Sequence, residues 1–520
     1  MITTPLPAGS LRATSLNSAR LRTDLHAAAE QEVDLLVVGG GVTGTGVALD
    51  AAARGLSVAL VEAEDLAWGT SRWSSKLVHG GLRHLAHGDF ALARESAVER
   101  NVLMTRTAPH LVRPLPQLIP LHEGVSRRQE VLLQAGLRAG DALRRAARTP
   151  SDVLPSPKRI PSAEALALVP GLRPAGLRGG LLSFDGQLVD DARLVVALAR
   201  TAAGFGARIL TRCAVTSLDG GGADLVDARS GESLRIRARS VVNAAGVWAG
   251  DLVPEVRLSP SRGSHLVVDA DAAGIAGTAV VTPMSGRFLL LIPLPDGRAI
   301  LGWTDEPVPG PIPAVPEVPE SDVDFLLAGI RDVLGVPLTR EHVLGSFAGL
   351  RPLLQQDGKD SADLSRHHAV LTSEEGIITV IGGELTTYRK MAADAVDAAV
   401  GARGLSAGPS RTTEIALVGA APRRHLTDIE APATLVAKYG TEAARVAALT
   451  ELDQDLAEPV AEGLHLTAAE VLWAVRHEGA LDVDDVLDRR SRLGLDPTQR
   501  AAALPQVEDL VTRALAGIEP

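Results

Sequence analysis

The sequence predicts an α/β fold that ends in an all-α region, and three observations predict it. Between Asp34 and Glu62, an apolar run, a glycine-rich turn, a helical pattern and a second apolar run follow one another, as in a strand–helix–strand unit. Between Gly263 and Trp303, short apolar runs separated by Gly and Pro predict an antiparallel sheet. After about Pro409, strand-like runs become rare and Ala-rich helical patterns dominate.

The first unit has the spacing of a dinucleotide-binding turn. Gly39, Gly41 and Gly44 stand at G-x-G-x-x-G spacing directly after the apolar run 35–38. These glycines allow a tight turn, close approach of a pyrophosphate and close packing of helix on strand. Free N–H groups at the start of the following helix favour an anion. Glu62, about 20 residues further on, is expected to accept hydrogen bonds from ribose hydroxyls. A Rossmann-like unit is therefore predicted, and its glycines and acids argue against a transmembrane helix.

Composition limits the class of protein. The chain of 520 residues is long enough for two or three domains, and its 2% aromatic content predicts cores built mainly of Ala, Leu and Val. A formal net charge of −11 argues against a general nucleic-acid binder. One cysteine, Cys213, excludes an internal disulfide framework, and no metal site is predicted. The first 29 residues lack a signal-peptide pattern, so a cytoplasmic protein is expected.

We expect three parts along the chain. Residues 1–32 form an N-terminal extension with a helix at about 16–29, and residues 421–520 form a helical C-terminal domain. Residues 33–408 form the region between them. Prolines at positions 109, 114, 116 and 120 predict short extended pieces there, and Ser321 is a candidate N-cap of the next helix.

Three further stretches are candidates for ligand contact. The polar loop 64–85, EDLAWGTSRWSSKLVHGGLRHL, lies between strong elements, where loops are often functional. SVVNAAG at 240–246 predicts a strand that ends in small residues, and Gly382-Gly383 precedes a helical pattern. Small residues let a ligand approach the backbone, but each stretch alone is equally consistent with a plain turn.

In this order the motifs resemble the FAD-dependent glycerol-3-phosphate dehydrogenases, which belong to the flavoprotein group that includes D-amino-acid oxidase. The resemblance runs from about Val33 to the end of the chain. The stretches that carry it are GGGVTGTGVALDAAARGLSVALVE, DLAWGTSRWSSKLVHGGLRHL, DDARLV, NAAGVWA, RGSHLVV, GWTDE, GLRPLL and GGELTTYRKMA. The tail, with EGALDVDDVLDRRSRLGL, also looks like that family's C-terminal domain. The implied fold is a Rossmann-like FAD-binding domain, built from about 33–108, 180–260 and 345–400, interleaved with an antiparallel-sheet substrate domain, built from about 109–179 and 261–344. The all-α C-terminal domain follows.

The resemblance also implies a reaction and its partners. Glycerol 3-phosphate would transfer hydride to FAD and become dihydroxyacetone phosphate, and the electrons would pass to a quinone, or to oxygen in a soluble oxidase variant. Peripheral contact with the inner face of the cell membrane and a homodimer are further expectations, and nothing suggests a covalent flavin link. The expected FAD-binding residues are Gly39, Gly41, Gly44, Glu62, Thr70, Ser71, Ser74, Ser75, Lys76, Gly80, Gly81, Gly246, Gly382, Gly383 and Thr386.

Four residues are candidates for the catalytic site. A phosphate dianion favours arginine, and Arg83 and Arg351 match family positions that meet the substrate. His265, in the GSH motif, is a candidate base, although a lone histidine is more often a core residue. Glu384 stands where the family usually has lysine facing the phosphate, so that it would repel the substrate unless it turns away or is protonated. An acid also suits the first turn of a helix electrostatically, so a structural role for Glu384 is the alternative. His84 is a second departure, because the family usually has tyrosine there.

These departures leave two rival interpretations open. An enzyme of the same fold acting on another small hydroxy or amino compound would explain His84 and Glu384. A flavin-binding paralogue without turnover would explain them too. The leading hypothesis remains an FAD-dependent glycerol-3-phosphate dehydrogenase.

Overall fold

The computed structural model describes residues 9–86, 88–284, 287–355 and 367–517. Its strands are β1 (Val33–Val38), β2 (Val58–Val61), β3 (Leu77–Val78), β4 (Val112–Pro120), β5 (Lys158–Ile160), β6 (Gly180–Leu188), β7 (Arg208–Leu210), β8 (Cys213–Asp219), β9 (Gly222–Asp227), β10 (Ser233–Asn243), β11 (Ser261–Asp269), β12 (Ala279–Met284), β13 (Arg287–Pro293), β14 (Arg298–Gly302), β15 (Glu306–Pro307), β16 (Val343–Arg351), β17 (Ala369–Thr372) and β18 (Ile378–Ile381).

Its α-helices are α1 (Leu11–Thr14), α2 (Ser18–Glu30), α3 (Val42–Ala53), α4 (Leu82–Ala86), α5 (Phe90–Val102), α6 (Arg127–Ala146), α7 (Ser162–Leu168), α8 (Asp191–Gly204), α9 (Ala249–Leu252), α10 (Glu320–Arg331), α11 (Tyr388–Arg403), α12 (Arg423–Thr427), α13 (Ala433–Tyr439), α14 (Ala443–Leu452), α15 (Ala468–His477) and α16 (Pro497–Ala516). Short 3₁₀ turns include Thr70–Arg72 and Leu385–Thr387, and π-helical turns lie at Leu103–Thr107 and Asp485–Arg490.

The first sheet has a parallel centre in the strand order β18-β10-β1-β2-β7, with β17 antiparallel at its edge. Strands of such a sheet are apolar on both faces because both faces are covered. Leu35 and Val37 of β1 pack with helices α3, α8 and α11, whereas Leu36 and Val38 pack with α2 and with β8–β9. This three-layer arrangement confirms the predicted α/β fold class.

The second sheet is mostly antiparallel and follows the order β15-β11-β14-β13-β12-β4-β6-β3, with β16 paired to β11. Helices α7 and α10 cover one of its faces through a core that includes Leu266, Leu291 and Leu326. Strand β16 ends at Arg351, and β3 leads into the loop before α4. The sheet therefore carries two of the expected substrate-site segments.

The C-terminal helices are joined to the rest of the protein by buried ion pairs. Arg193 of α8 makes two hydrogen bonds to Glu478, of 2.7 and 3.0 Å. Arg200 makes two to Glu442, of 2.7 and 2.9 Å. Bidentate geometry compensates the desolvation of each pair, and it fixes the position of the C-terminal helices.

Two local predictions were wrong. The proline-rich stretch predicted as short extended pieces is the single nine-residue strand β4, which pairs with β6 along its whole length. Only Gln117 and Leu118 pair with β12, so Pro114 and Pro116 lie where no second partner needs an N–H group. The helix predicted to have Ser321 as its N-cap begins two residues earlier, at Glu320, with Pro319 as its N-cap.

No helix in the described part of the chain is long and apolar enough to span a bilayer.

Candidate active site

The expected cofactor residues meet at one edge of the first sheet. Strands β18, β10, β1 and β2 are parallel neighbours, so their carboxyl ends lie side by side. The turns that follow them hold Gly382-Gly383, Gly246, Gly39 and Glu62, respectively. In open α/β sheets a ligand binds in the crevice beyond these carboxyl ends. The fold thus brings together residues that are more than 300 positions apart in the sequence.

Two of the fingerprint glycines are required by space alone. A Cβ on Gly44 would lie 1.9 Å from the Gly39 carbonyl oxygen, and a Cβ on Gly39 would lie 2.5 Å from the Ala244 carbonyl oxygen. Gly39 also has φ +112°, a value that favours glycine. Helix α3 can begin this close to β1 and β10 only because these side chains are missing.

The N-terminus of α3 and the acid after β2 have partners within the protein. The Val42 N–H donates to Ser71 Oγ at 2.9 Å, and Gly41 is the N-cap of α3. Glu62 accepts the Gly40 N–H at 2.6 Å and the Glu64 N–H at 2.9 Å. Burial is the main cause that raises the pKa of Glu62. Glu62 therefore shapes the glycine turn itself, a role that the sequence did not predict.

Two features of the crevice fit a flavin cofactor. Gly246 has φ +58°, and a Cβ placed there would meet no atom within 4 Å, so open space lies beside the backbone. Thr386 Oγ1 is buried without a hydrogen-bond partner among the described residues. Gly382 and Gly383, both with positive φ, turn the chain between β18 and the 3₁₀ turn that holds Thr386. A ring with polar edges would fill the space and pair the hydroxyl.

Several polar residues of the loop 64–85 are held by the protein. Thr70 Oγ1 donates to the Leu350 carbonyl at 2.7 Å, and Ser74 Oγ donates to Asp191 at 2.7 Å. Lys76 Nζ lies 3.1 Å from Asp191, and both side chains are buried. Burial lowers the pKa of Lys76, although Asp191 opposes that effect. The ammonium group of Lys76 thus already has a partner within the protein. The predicted contact of Lys76 with a cofactor phosphate stays a prediction.

His265 is a buried residue of β11. Its Nε2 lies 2.9 Å from Ser75 Oγ, its Nδ1 lies 3.1 Å from the Gly263 carbonyl, and its ring stacks on Phe347. Burial and the charges of Arg351 and Lys76 lower the pKa of His265 to about 3. A histidine with both nitrogens in contact and so low a pKa is poorly suited to act as a base near neutral pH.

Arg351 lies at the end of β16 beside β11. Its guanidinium is 3.3 Å from Asp305 and 3.4 Å from Ser261 Oγ, and a Cβ on Gly263 would lie 2.5 Å from it. About a quarter of the side chain is exposed, at 23%. Arg351 is thus held by an acid behind it and keeps a solvent-facing side, as an anion-binding arginine would.

Gly80 and Gly81 approach other parts of the protein closely. A Cβ on Gly80 would lie 2.3 Å from the Arg100 guanidinium, and its N–H donates to Asp185 at 3.1 Å. A Cβ on Gly81 would lie 2.7 Å from the Ala93 backbone. Close packing within the protein therefore favours glycine at both positions, whether or not a cofactor lies beside them. Arg83 follows in α4, and its side chain lies outside the described part of the structure.

Glu384 is joined to two histidines, which we call the Glu384 cluster (His79, His84 and Glu384). Glu384 Oε1 lies 2.9 Å from His84 Nε2, and Oε2 lies 3.1 Å from His79 Nε2. Burial acts to raise the pKa of Glu384, but His79 and His84 outweigh it and lower the pKa below its usual range. Burial likewise acts to lower the pKa of His79, and Glu384 raises it above its usual range.

His79 is the residue that sequence reasoning missed. It stands in the loop SSKLVHGG between β3 and the glycine pair, and its Nδ1 accepts the Gly81 N–H at 3.3 Å. One third of its side chain, 33%, is exposed, against 7% for His84. Its position directly before Gly80-Gly81 was the available signal, since the loop was already a candidate for ligand contact.

Comparisons with known proteins agree with this geometry. Residues 34–389 match the family model "FAD dependent oxidoreductase", and residues 410–516 match "C-terminal domain of alpha-glycerophosphate oxidase". Glycerol-3-phosphate dehydrogenase 1 of Mycobacterium tuberculosis is 49% identical over 96% of this chain and 99% of its own length. Glycerol-3-phosphate dehydrogenase of Synechocystis is 33% identical over 89% of each chain.

A solved structure gives the same result for the fold. The glycerol-3-phosphate dehydrogenase from Bacillus halodurans, complexed with FAD, has a TM-score of 0.71 and 27% identity over 96% of this chain and 97% of that one. The predictions of an FAD cofactor and of an oxidoreductase are confirmed by these matches. The chain therefore belongs to the FAD-dependent oxidoreductases, within the glycerol-3-phosphate dehydrogenase family.

Proposed function

We propose that this protein oxidises sn-glycerol 3-phosphate to dihydroxyacetone phosphate. One observation carries the proposal: three distant segments converge beside the flavin crevice. Thr70 bonds to Leu350 in β16, a Cβ on Gly349 would lie 2.5 Å from the Trp73 carbonyl, and His84 contacts Glu384. The names of these relatives, each a glycerol-3-phosphate dehydrogenase, support this substrate.

The chain's own residues divide the work between cofactor and substrate. Bound FAD supplies the hydride acceptor. The turn that contains Gly39 and Gly41 would hold its pyrophosphate, and the open space beside Gly246 would admit part of it. The backbone N–H groups of the 3₁₀ turn that begins after Glu384 would serve as hydrogen-bond donors to it. Arg351, fixed by Asp305, binds the phosphate through its exposed side.

The proton of the substrate hydroxyl needs an acceptor, and we propose the pair His79–Glu384 in place of His265. His79 Nε2 and Glu384 Oε2 are 3.1 Å apart, and His79 has the more exposed side chain of the two histidines in the Glu384 cluster. A carboxylate that contacts an imidazole orients the ring and favours its protonated form, which is the state reached after proton transfer.

Anaerobic mixing of the FAD-containing protein with glycerol 3-phosphate tests the reaction. We expect the flavin absorbance to bleach within the turnover time and one dihydroxyacetone phosphate to form per flavin. Absence of bleaching by glycerol 3-phosphate, together with bleaching by another alcohol or amine, would contradict the proposal. Bleaching by no donor would instead indicate a paralogue without turnover.

A second candidate function is favoured by the sign of Glu384. A carboxylate with a lowered pKa carries its negative charge at neutral pH and attracts an ammonium group rather than a phosphate. An amine or amino-acid substrate would therefore suit the pocket. Reduction by a panel of small amines, but not by glycerol 3-phosphate, would establish this second function.

We further propose that the electrons pass to a quinone at a membrane surface. Four exposed apolar side chains, Leu82, Phe90, Val131 and Leu132, lie on the mutually packed helices α4, α5 and α6. Helix α4 also carries His84, so this apolar patch adjoins the Glu384 cluster. Contiguous exposed apolar side chains mark interaction surfaces, and those of Phe90 and Leu132 are 68% and 73% exposed.

Vesicle binding and quinone reduction test this membrane contact. The double substitution Phe90→Ser with Leu132→Ser should lower binding to phospholipid vesicles and the rate of quinone reduction, while anaerobic flavin reduction stays unchanged. Leu452→Ser is the matched control, since Leu452 is 81% exposed on α14 in the C-terminal region. Equal vesicle binding by the double variant and by the control would contradict the proposal.

A further inference from the structure

The Glu384 cluster has the donors of a transition-metal site. His79 Nε2, His84 Nε2 and a carboxylate oxygen of Glu384 lie within 4.8 Å of one another. Two neutral imidazoles and one carboxylate form the ligand set of many catalytic zinc sites, which keep a fourth position open. We propose that these three side chains bind one divalent transition-metal ion of the zinc type.

The distances require little movement for an ion to enter. Tetrahedral zinc with bonds of about 2.0–2.1 Å holds its ligand atoms roughly 3.3–3.4 Å apart. In the structure, Glu384 is 2.9 Å from His84 Nε2 and 3.1 Å from His79 Nε2. These two contacts run to different oxygens of the carboxylate, and the two histidine nitrogens and one carboxylate oxygen all lie within 4.8 Å of one another. A modest movement of the three side chains would therefore bring their ligand atoms to the separations of a coordination shell.

The hydrogen bonding of the cluster is incomplete without an ion. Glu384 Oε2 is buried and has no well-directed hydrogen bond among the described residues, although His79 Nε2 is near. Burial of an acceptor without a partner is costly, so an ion between Oε2 and the two rings would satisfy it. His84 lies in α4, and its contact with Glu384 fixes the position of its ring. His79 is more exposed, so a metal ion can reach the Glu384 cluster from solvent on the side of His79.

The ligand types also predict selectivity. Nitrogen donors favour Zn²⁺, Co²⁺ and similar ions, whereas Mg²⁺ and Ca²⁺ prefer oxygen ligands. The ion would occupy the lone pairs that the proposed His79–Glu384 proton acceptor uses. Zn²⁺ should therefore inhibit flavin reduction by substrate, a consequence that rests on the proposed function, whereas metal binding itself does not.

Equilibrium dialysis of the chelator-treated, FAD-containing protein against Zn²⁺ tests the site. We expect one Zn²⁺ per chain, no displacement by excess Mg²⁺, and visible absorption bands of tetrahedral Co²⁺ when Co²⁺ replaces Zn²⁺. Glu384→Gln and His84→Phe, on separate elements, should each lower the affinity at least about tenfold.

His368→Phe is the matched control, because His368 also lies beside carboxylates, 2.9 Å from Asp394 and 4.0 Å from Glu95, but is not part of the Glu384 cluster. It should leave Zn²⁺ affinity unchanged. The retained flavin spectrum and melting temperature show that each variant is folded. Zn²⁺ affinity that is equal in the wild type, Glu384→Gln and His84→Phe would overturn the proposal. One bound Zn²⁺ without any bleaching by glycerol 3-phosphate would support the site and contradict only the proposed function.

Discussion

The attachment of the C-terminal helices and the Glu384 cluster are both built from buried charges, but they differ in how completely those charges are paired. Arg193 and Glu478 bind each other through two hydrogen bonds, and Arg490 binds Asp65 through two more, of 2.8 and 2.9 Å. Among the described residues, Glu384 has one well-directed side-chain hydrogen bond, to His84. Full pairing fixes a structure, whereas incomplete pairing leaves a group that can take a ligand or a proton.

Asp65, a buried carboxylate in the attachment of the C-terminal helices, is kept ionised and away from any substrate by its arginine partners. Burial acts to raise the pKa of Asp65, but the charges of Arg490 and Arg489 outweigh it and lower the pKa below its usual range. All of these side chains are nearly inaccessible to solvent. A carboxylate held in this way stays ionised at any working pH and contacts no substrate, so a perturbed pKa alone does not mark an active site.

The largest expected effect is on the attachment of the C-terminal helices. Glu478→Gln should lower the free energy of unfolding by about 3–5 kcal/mol, because it leaves the Arg193 guanidinium buried without an anion. Urea unfolding followed by tryptophan fluorescence measures this. Asp219→Asn is the control, since Asp219 and Arg235 are half exposed, and it should cost less than about 1 kcal/mol. Equal losses of unfolding free energy in Glu478→Gln and Asp219→Asn would contradict the expectation that the buried ion pair contributes more to stability than the exposed one.

The next effect concerns pH and the same attachment. His110 is buried beside Gly419 and Gly440, and burial, with the charge of Arg193, lowers its pKa to about 3. His110 binds a proton more readily in the unfolded chain, where its pKa is about 6.5, than in the folded protein. The folded state is therefore fully stable with respect to this group above about pH 6.5 and loses stability as the pH falls towards 3. The loss should reach on the order of 4 kcal/mol. His110→Gln should flatten the stability profile between about pH 6.5 and 4, and exposed His425→Gln should leave it unchanged.

A smaller effect tests the open crevice. Gly246 and Gly55 both have positive φ, and a Cβ at either position would meet no atom within 4 Å, but only Gly246 follows β10 in the crevice. Alanine at either position should cost about 1 kcal/mol in stability of the apoprotein. Gly246→Ala should also weaken FAD binding at least about tenfold, measured by flavin fluorescence. If both variants bind FAD equally, the crevice is not where the flavin lies.

The smallest effect tests the sign of the charge in the pocket. The double substitution His84→Tyr with Glu384→Lys introduces the residues usual in the family and should lower KM for glycerol 3-phosphate by about tenfold, while kcat should fall because the proposed proton acceptor is lost. Bare Coulomb repulsion at about 4 Å would correspond to about 4 kcal/mol at an effective dielectric of about 20, but the histidines offset part of it. An unchanged KM would show that Glu384 does not face the phosphate.

Much of the fold was predictable because local signals were strong. The glycine spacing and the apolar runs around it predicted β1, α3 and β2, since backbone sterics and two-sided burial act within about 30 residues. Strand β4 was not predicted as one element, because its prolines argue against a strand that is paired on both sides. They are tolerated because β4 pairs with β6 along its whole length but with β12 only at Gln117 and Leu118. That neighbour, β12, lies about 160 residues away in the sequence, and pairing at such a separation leaves no local trace.

The sequence by itself determined that this chain is an α/β flavoprotein of a recognisable family, because the glycine fingerprint and the ordered motifs are local patterns. Only the tertiary structure decided which charged side chains are chemically available. Lys76 was a candidate for cofactor contact and His265 a candidate base; in the structure both are buried, Lys76 contacts Asp191, and His265 contacts Ser75 and the Gly263 carbonyl. His79 became a candidate because the fold brings Glu384, 305 positions later, to 3.1 Å from it. The physical reason is that a side chain's pKa and its remaining hydrogen-bonding capacity depend on neighbours in space, which sequence spacing does not specify.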